Sequence, residues 1–454
     1  MIVMKFGGTS VEDASAMRNV SAIVRSHLVR RPLVVASACA GVTNALLALA
    51  RSAREAGKEK ALDRVEELRV RHRQIAHALF SGEVLFTVQS QVDALADGLR
   101  DLVKSIAILG ELTDRSLDTF AGYGERLSTL LLTHHLKQEG MPCVFVDAQE
   151  VMVTTAEFTR AAPVVAEIER RVRERIVPRL EAGQVVVTQG FVGATAQGIP
   201  TTIGRGGSDY SAAVFGAALD AAEIQIWTDV DGVMTSDPSV IPEARVIPEM
   251  TFREAAELAY FGAKVLHPAT ILPAVQKNIP VRVLNSRRSE VPGTVIVAKG
   301  SRREEGIVTS IAYKEGITLI TITSTRMLMM HGFLARVFEI FAAHSTSVDV
   351  IATSEVSLSL TVDSRAHLEA IFGELRQVAE VEAEDDKAIF CVVGEGLKTT
   401  RGLVTRVFAT LDDAGIPVSM ISLGASEINV TFVVDGRDIR AAAQALHRAF
   451  FPSA

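Results

Sequence analysis

Six short strand-like runs, Ile2–Phe6, Leu33–Ser37, Cys143–Val146, Val185–Gln189, Glu223–Thr228 and Val281–Asn285, alternate with helical stretches, and several are apolar almost throughout. A strand without a polar face has to be covered on both sides. Residues 1 to about 298 are therefore expected to form an α/β domain, a mostly parallel sheet between helices. A charged helical stretch from about residue 52 to 120 interrupts the alternation and reads as an insertion forming a lid or substrate rim.

Two glycine-rich loops lie in this region. Lys5-Phe6-Gly7-Gly8-Thr9-Ser10 ends the first strand, and Gly204-Arg205-Gly206-Gly207-Ser208-Asp209 opens an alanine-rich helix. Paired glycines accept positive φ and let backbone N–H groups approach a ligand. Ahead of a helix N-terminus such groups make a phosphate site. Lys5 at one loop, with Arg205 and Asp209 at the other, adds the cations and the orienting acid that phosphoryl transfer needs. Neither loop has the spacing of a Walker motif. Ordinary capping is a parallel reading: Ser10-Val11-Glu12-Asp13 fits a capping box, and Ser208 or Asp209 stands at an expected N-cap. Capping explains neither a lysine in a strand ahead of two glycines nor Arg205.

Further segments are weaker alone. Ser37 to Asn44, including Thr43, follows a buried strand, where open α/β sheets bind ligands. Gly122-Tyr123-Gly124-Glu125-Arg126 sets a carboxylate at a helix start, which ordinary dipole compensation also explains. Thr228-Asp229-Val230-Asp231-Gly232 closes a strand, and its aspartates suit Asx turns equally well. His267 has no Cys, His or carboxylate at ligand spacing and reads as structural; no metal site is expected. Cys39, Cys143 and Cys391 are odd in number and far apart, the pattern of inert thiols.

A boundary falls between Pro292 and Gly306, and beyond it the chain repeats itself. Gly332-Phe333-Leu334-Ala335-Arg336-Val337-Phe338 recurs as Gly402-Leu403-Val404-Thr405-Arg406-Val407-Phe408, an offset of about 70 residues. Ser354-Glu355 and Ser426-Glu427 each open an alternating strand. Each unit reads strand, helix, strand, strand. With 48% hydrophobic residues and a net charge of −7, the chain can bury large cores but makes a poor nucleic-acid or membrane-surface binder. No apolar run approaches the ~18 residues of a membrane span, and no leader is read at the N-terminus. A cytoplasmic protein is expected.

Taken in order, Lys5 to Ser10, Gly124-Glu125-Arg126, Gly204 to Asp209, Thr228-Asp229 and Phe261 to Thr270 resemble the aspartate kinases of the amino-acid kinase family. The duplication resembles their paired ACT domains, over residues 307–454. The resemblance implies an ACT unit at about 315–386 inserted into a second one, made of about 307–314 plus 387–454. It implies ATP and Mg²⁺ as cofactors, L-aspartate as phosphoryl acceptor, L-lysine as effector, and a homodimer or dimer of dimers through the ACT domains. By the same resemblance Lys5 and Asp209 are catalytic, and Thr43, Glu125, Arg205 and Ser208 bind aspartate. Gly7, Gly8, Gly206, Gly207, Thr228, Asp229 and Lys264 hold the nucleotide. Met327, Gly332, Phe333, Leu334, Ser347, Val348, Asp349, Ser354 and Glu355 form the lysine site. Three positions depart from the family: Met234 and Ser239 stand where tyrosine and arginine are common, and Met329 where histidine is.

Overall fold

The computed structural model describes residues 1–55, 57–204, 206–261, 268–300, 308–328, 331–397, 399–423 and 428–452. The expectations placed on Arg205, Lys264, His267, Met329 and Ser426-Glu427 fall outside these residues. The chain divides into two compact units, one of Met1–Val233, Pro248–Phe252 and Val265–Gly300, the other of Met234–Ile247, Arg253–Lys264 and Ser301–Ala454.

The first unit holds β1 (Ile2–Phe6), β2 (Pro32–Ala36), β3 (Cys143–Phe145), β4 (Val185–Gln189), β5 (Val192–Ala194), β6 (Pro200–Thr202), β7 (Ile224–Thr228), β8 (Glu249–Thr251), β9 (Val281–Asn285) and β10 (Thr294–Val297). Eight of these form one sheet in the order β3-β4-β2-β1-β7-β9-β10-β8, while β5 and β6 form a separate hairpin. The first six in that order run parallel, and β10 turns antiparallel to β9. These six are the strands the apolar runs predict, within one residue at each end. The hairpin, β8 and β10 are three or four residues each, too short to carry a periodic signal.

Every residue of β1, β2 and β4 is buried. On one face, Ile2, Met4, Phe6, Val34, Ala36, Val185 and Val187 share a core with the helices Ala14–Ser26, Val42–Glu55, Lys58–Leu79, Gly82–Leu109 and Tyr123–Gln138. The helical insertion is thus continuous with the core of the sheet. In register, Phe6 faces Ala36 and Trp227, Ala36 faces Gln189, and Thr228 faces Asn285. The carboxyl ends of β1, β2, β4, β7 and β9 therefore lie side by side, the edge where open parallel sheets take ligands.

The second unit is built on β11 (Ser310–Thr323), β12 (Ile351–Thr353), β13 (Ser357–Val362), β14 (Glu380–Val393), β15 (Val418–Ser422) and β16 (Asn429–Asp435), ordered β12-β13-β11-β14-β16-β15. All of its pairings are antiparallel. Residues 318–323 of β11 pair with β13, whereas 387–393 of β14 pair with β16. Each long strand thus serves both repeats. The helices Phe333–Ala343 and Leu368–Leu375 cover one half of the sheet, around Ile320, Val337 and Leu358. Leu403–Asp413 and Ile439–Phe450 cover the other half, where Phe390 stacks on Phe432 at 5.6 Å between ring centroids. Each repeat therefore has a second helix after its strands, which the strand-helix-strand-strand reading omits.

Candidate active site

The first glycine loop is held by its backbone. Gly7 N–H donates to Trp227 O at 3.0 Å, and Ala40 N–H donates to Gly8 O at 3.1 Å. A Cβ on Gly8 would stand 2.9 Å from Ala38 O, so this position needs glycine for close approach. Ser10 does not cap a helix. Its Oγ donates to Ser286 Oγ at 2.7 Å, and Asp13 caps the helix Ala14–Ser26 by accepting from Ala16 N–H. At the second loop Gly206, with φ 74°, is the N-cap of the helix Gly207–Ala218, so Ser208 and Asp209 lie in its first turn rather than at the cap. The N–H groups of Gly207 and Asp209 close the turn onto Gly204 O and Gly206 O at 3.0 and 3.1 Å, while the positive end of the helix lies at the loop.

The two loops meet through their charges. Lys5 Nζ lies 2.6 Å from Asp209 Oδ1, with the side chains only 10% and 18% exposed. The lysine projects from a strand that is otherwise wholly apolar. Both residues line a cavity of about 800 Å³. Gly8, Gly206, Gly207, Ser208, Thr43 and Glu125 line the same cavity. Gly7 stands just behind it, where an added Cβ would come within 3.5 Å of Lys5 Nζ. Thr228 and Asp229 sit at the carboxyl end of β7 and are not among the lining residues. The turn after them is tied to β9 by Asn285, whose Nδ2 donates to Asp231 Oδ1 at 2.7 Å.

Glu125 is the third residue of the helix Tyr123–Gln138 and is 2% exposed. Its Oε1 accepts from Ala38 N–H at 3.2 Å. Its Oε2 is buried without a hydrogen-bond partner among the described residues. Burial pushes this carboxyl up to about 8, against smaller pulls from the backbone N–H groups. The helix start can press so closely on the Ala38 loop because residue 124 is glycine; a Cβ there would meet Ala38 Cβ at 2.7 Å.

Several lining residues escape the sequence reading, and four of them shape the cavity wall. Asp118, from the helix Asp114–Ala121, accepts from Thr159 N–H and from Thr202 Oγ1 at 2.6 Å, and burial raises its pKa. Phe191 holds a φ of 64° and packs where a Cβ on Gly207 would stand 2.8 Å away. Asp118, Thr159, Phe191 and Thr202 all border the cavity, yet none has a local motif. Asp118 is a helix aspartate like many others until the fold brings Thr159 and Thr202 to it. Cys39 also borders the cavity, where burial pushes its thiol up to about 12; all three cysteines are buried and free.

In the second unit, Met327 and Val348 pack on the core beneath the helix Phe333–Ala343. Gly332 caps that helix with φ 86°, Phe333 is buried, and Leu334 is partly exposed. Ser347 and Glu355 are exposed, and Ser354 closes a turn onto Ser357. The carboxylate of Asp349 is only 3% exposed. Met234 bridges Val246, and Ser239 Oγ donates to Asp237 Oδ1 at 2.6 Å, closing a polar turn.

The model of the amino acid kinase family matches residues 1–285, and an ACT domain model matches residues 390–450. Lysine-sensitive aspartokinase 3 of Escherichia coli is 38% identical, over 99% of both chains. Aspartokinase 2 of the chloroplast of Arabidopsis thaliana is also 38% identical, over 99% of this chain and 84% of its own. The crystal structure of Escherichia coli aspartokinase III with lysine and aspartate, a T-state, superposes with a TM-score of 0.84 over 99% of both chains at 38% identity. The R-state of that enzyme, with aspartate and ADP, superposes at 0.81 over 99% of this chain and 100% of its own, at 37% identity.

Proposed function

The chain belongs to the amino acid kinase family, and from that premise we propose that it transfers the γ-phosphoryl group of ATP to the β-carboxylate of L-aspartate. The product is 4-phospho-L-aspartate, and L-lysine inhibits its formation. The observation that carries this reading is the pairing of Lys5 with Asp209 at the meeting of two glycine loops, in one cavity lined also by the buried Glu125.

A carboxylate is already a nucleophile at neutral pH, so the reaction needs no strong base. It needs two anions held together and the charge on the transferring group stabilised. Lys5 meets that charge, and Asp209 fixes the direction of its ammonium. Gly8 and Gly206 offer backbone donors to phosphate oxygens, Gly7 and Gly207, whose N–H groups go to Trp227 O and Gly204 O, hold the two loops in shape around them, and Thr228, Asp229 and Lys264 hold the nucleotide. For aspartate, Glu125 takes the ammonium, Arg205 clamps the α-carboxylate as a planar fork, and Thr43 and Ser208 bind remaining oxygens. Among the described residues no three His, Cys, Asp or Glu side chains gather into a metal site. Mg²⁺ would be held mostly by the nucleotide phosphates and water, and would supply neutralisation of phosphate charge.

Lysine acts at the ACT repeats, on Asp349 and Glu355 with Met327, Gly332 to Leu334, Ser347, Val348 and Ser354. A cytoplasmic dimer joined through these repeats belongs to the same reading. The test is ADP release from Mg·ATP with L-aspartate, the acyl phosphate being trapped by hydroxylamine, with and without L-lysine. Turnover that requires aspartate and falls with lysine is the expected result. Absence of aspartate-dependent turnover would overturn the assignment.

A further inference from the structure

The carboxylate assigned to the effector is already occupied by the chain itself. Lys314, in β11, places its ammonium 3.2 and 3.3 Å from the two oxygens of Asp349. The Tyr260 hydroxyl, at the end of the helix Phe252–Tyr260, donates to Asp349 Oδ1 at 2.6 Å. Asp349 is thus nearly closed off and fully served before any ligand arrives. Lys314 has a second partner: Asp363 Oδ2 lies 2.9 Å from the same nitrogen, and Asp363 is 47% exposed. The ammonium also lies 5.3 Å from the centre of the Tyr260 ring, within cation–π range.

A buried carboxylate left without its cation is strongly unfavourable, whereas exchanging one ammonium for another is nearly neutral in charge. A free ammonium can therefore reach Asp349 only by taking the place of Lys314. The cost is small because Lys314 keeps Asp363. We infer that Lys314 is a tethered competitor at the effector site, holding Asp349 in the effector-free protein and moving onto Asp363 when L-lysine binds. This rests on the reading of Asp349 as the effector carboxylate. Its consequence is that Lys314, absent from the expected lysine-binding set, sets the lysine concentration at which inhibition begins. The exchange also draws the ammonium off the Tyr260 ring, so the helix ending at Tyr260 registers it.

The experiment is lysine inhibition of the full chain in the hydroxylamine assay, with Lys314→Met, Lys314→Arg and Asp363→Asn. Removing one charge-assisted competitor should lower the half-inhibiting lysine concentration about tenfold in Lys314→Met. Lys314→Arg should stay near the parent value. Asp363→Asn, at a half-exposed position that tolerates the change, should raise the requirement several-fold, because the displaced ammonium loses its refuge. A parent chain that ignores lysine beside a Lys314→Met variant that responds would also support the inference. A parent inhibited by lysine with both variants unchanged would overturn it and leave the effector reading intact. If neither parent nor variants respond, the effector reading falls and takes the inference with it.

Discussion

Glu125 makes the sharpest prediction because no cation pairs with it among the described residues. Its carboxyl is buried, one oxygen has no partner among the described residues, and burial lifts its pKa from 4.5 to about 8. At pH 7 the group is therefore mostly protonated, and ionising it costs about 1.4 kcal/mol, one pKa unit. A substrate ammonium needs the ionised form, and a single charge-assisted hydrogen bond, worth about 1.5–3 kcal/mol, covers that cost. Aspartate binding should then release a proton below pH 8. The aspartate KM should rise as pH falls from 8 to 6, with a slope approaching tenfold per unit, and level off above 8. The assay is KM against pH with saturating Mg·ATP, paired with calorimetric titrations in buffers of different ionisation enthalpy to count protons. Glu125→Gln should raise KM and flatten its pH dependence while leaving the proton count near zero. The linked stability has the opposite sign to that of a salt-bridged acid. A folded pKa above the unfolded one gives stability that is present below about 4.5 and lost as pH rises through about 8. The ligand-free parent should therefore lose thermal stability across that window relative to Glu125→Gln. A flat KM profile in the parent, or a variant with unchanged KM, would refute the assignment of Glu125 to the ammonium.

Other perturbations test the remaining parts. Lys5→Ala should cut turnover by about a hundredfold or more while changing aspartate KM little, since the charge it meets develops in the transition state; near-normal kcat would remove its role. Gly8→Ala forces a Cβ to within 2.9 Å of Ala38 O and should lower both nucleotide affinity and melting temperature; normal values for both would show the loops do not need that approach. Asp118→Asn replaces the charged acceptor shared by Thr159 N–H and Thr202 Oγ1 with a neutral amide, and should raise aspartate KM several-fold at nearly constant kcat. Asp349→Ala should relieve lysine inhibition with basal activity retained; inhibition unchanged in dose would move the effector elsewhere.

The strands and the glycine loops were legible for a simple reason. A strand buried on both faces is apolar over most of its length, so β1, β2 and β4 announce themselves without any partner in view, with Lys5, Thr188 and Gln189 as the polar residues near their carboxyl ends. Gly8, Gly206 and Gly207 are likewise local necessities, the first and last for space and the middle one for its φ. Capping was misread where a distant partner outbid a near one. Ser10 fits a capping box, but Ser286, from beyond β9, takes its hydroxyl, and the cap passes to Asp13. The three-way contact of Tyr260, Lys314 and Asp349 joins residues from three separate segments and leaves no trace in any one of them.

Glu125 and Asp209 show the limit most clearly. Each is the third residue of its helix, and dipole compensation describes both equally well from sequence. Tertiary structure separates them. Asp209 faces Lys5 at 2.6 Å and has its cation within the chain. Glu125 is held against the Ala38 loop and, among the described residues, has one oxygen bare and no cation. Burying a carboxylate without a cation is costly, so such a position persists where a ligand supplies the charge. In a cavity whose proposed substrate carries one ammonium and two carboxylates, the acid without a cation among the described residues is the one with a partner in the substrate.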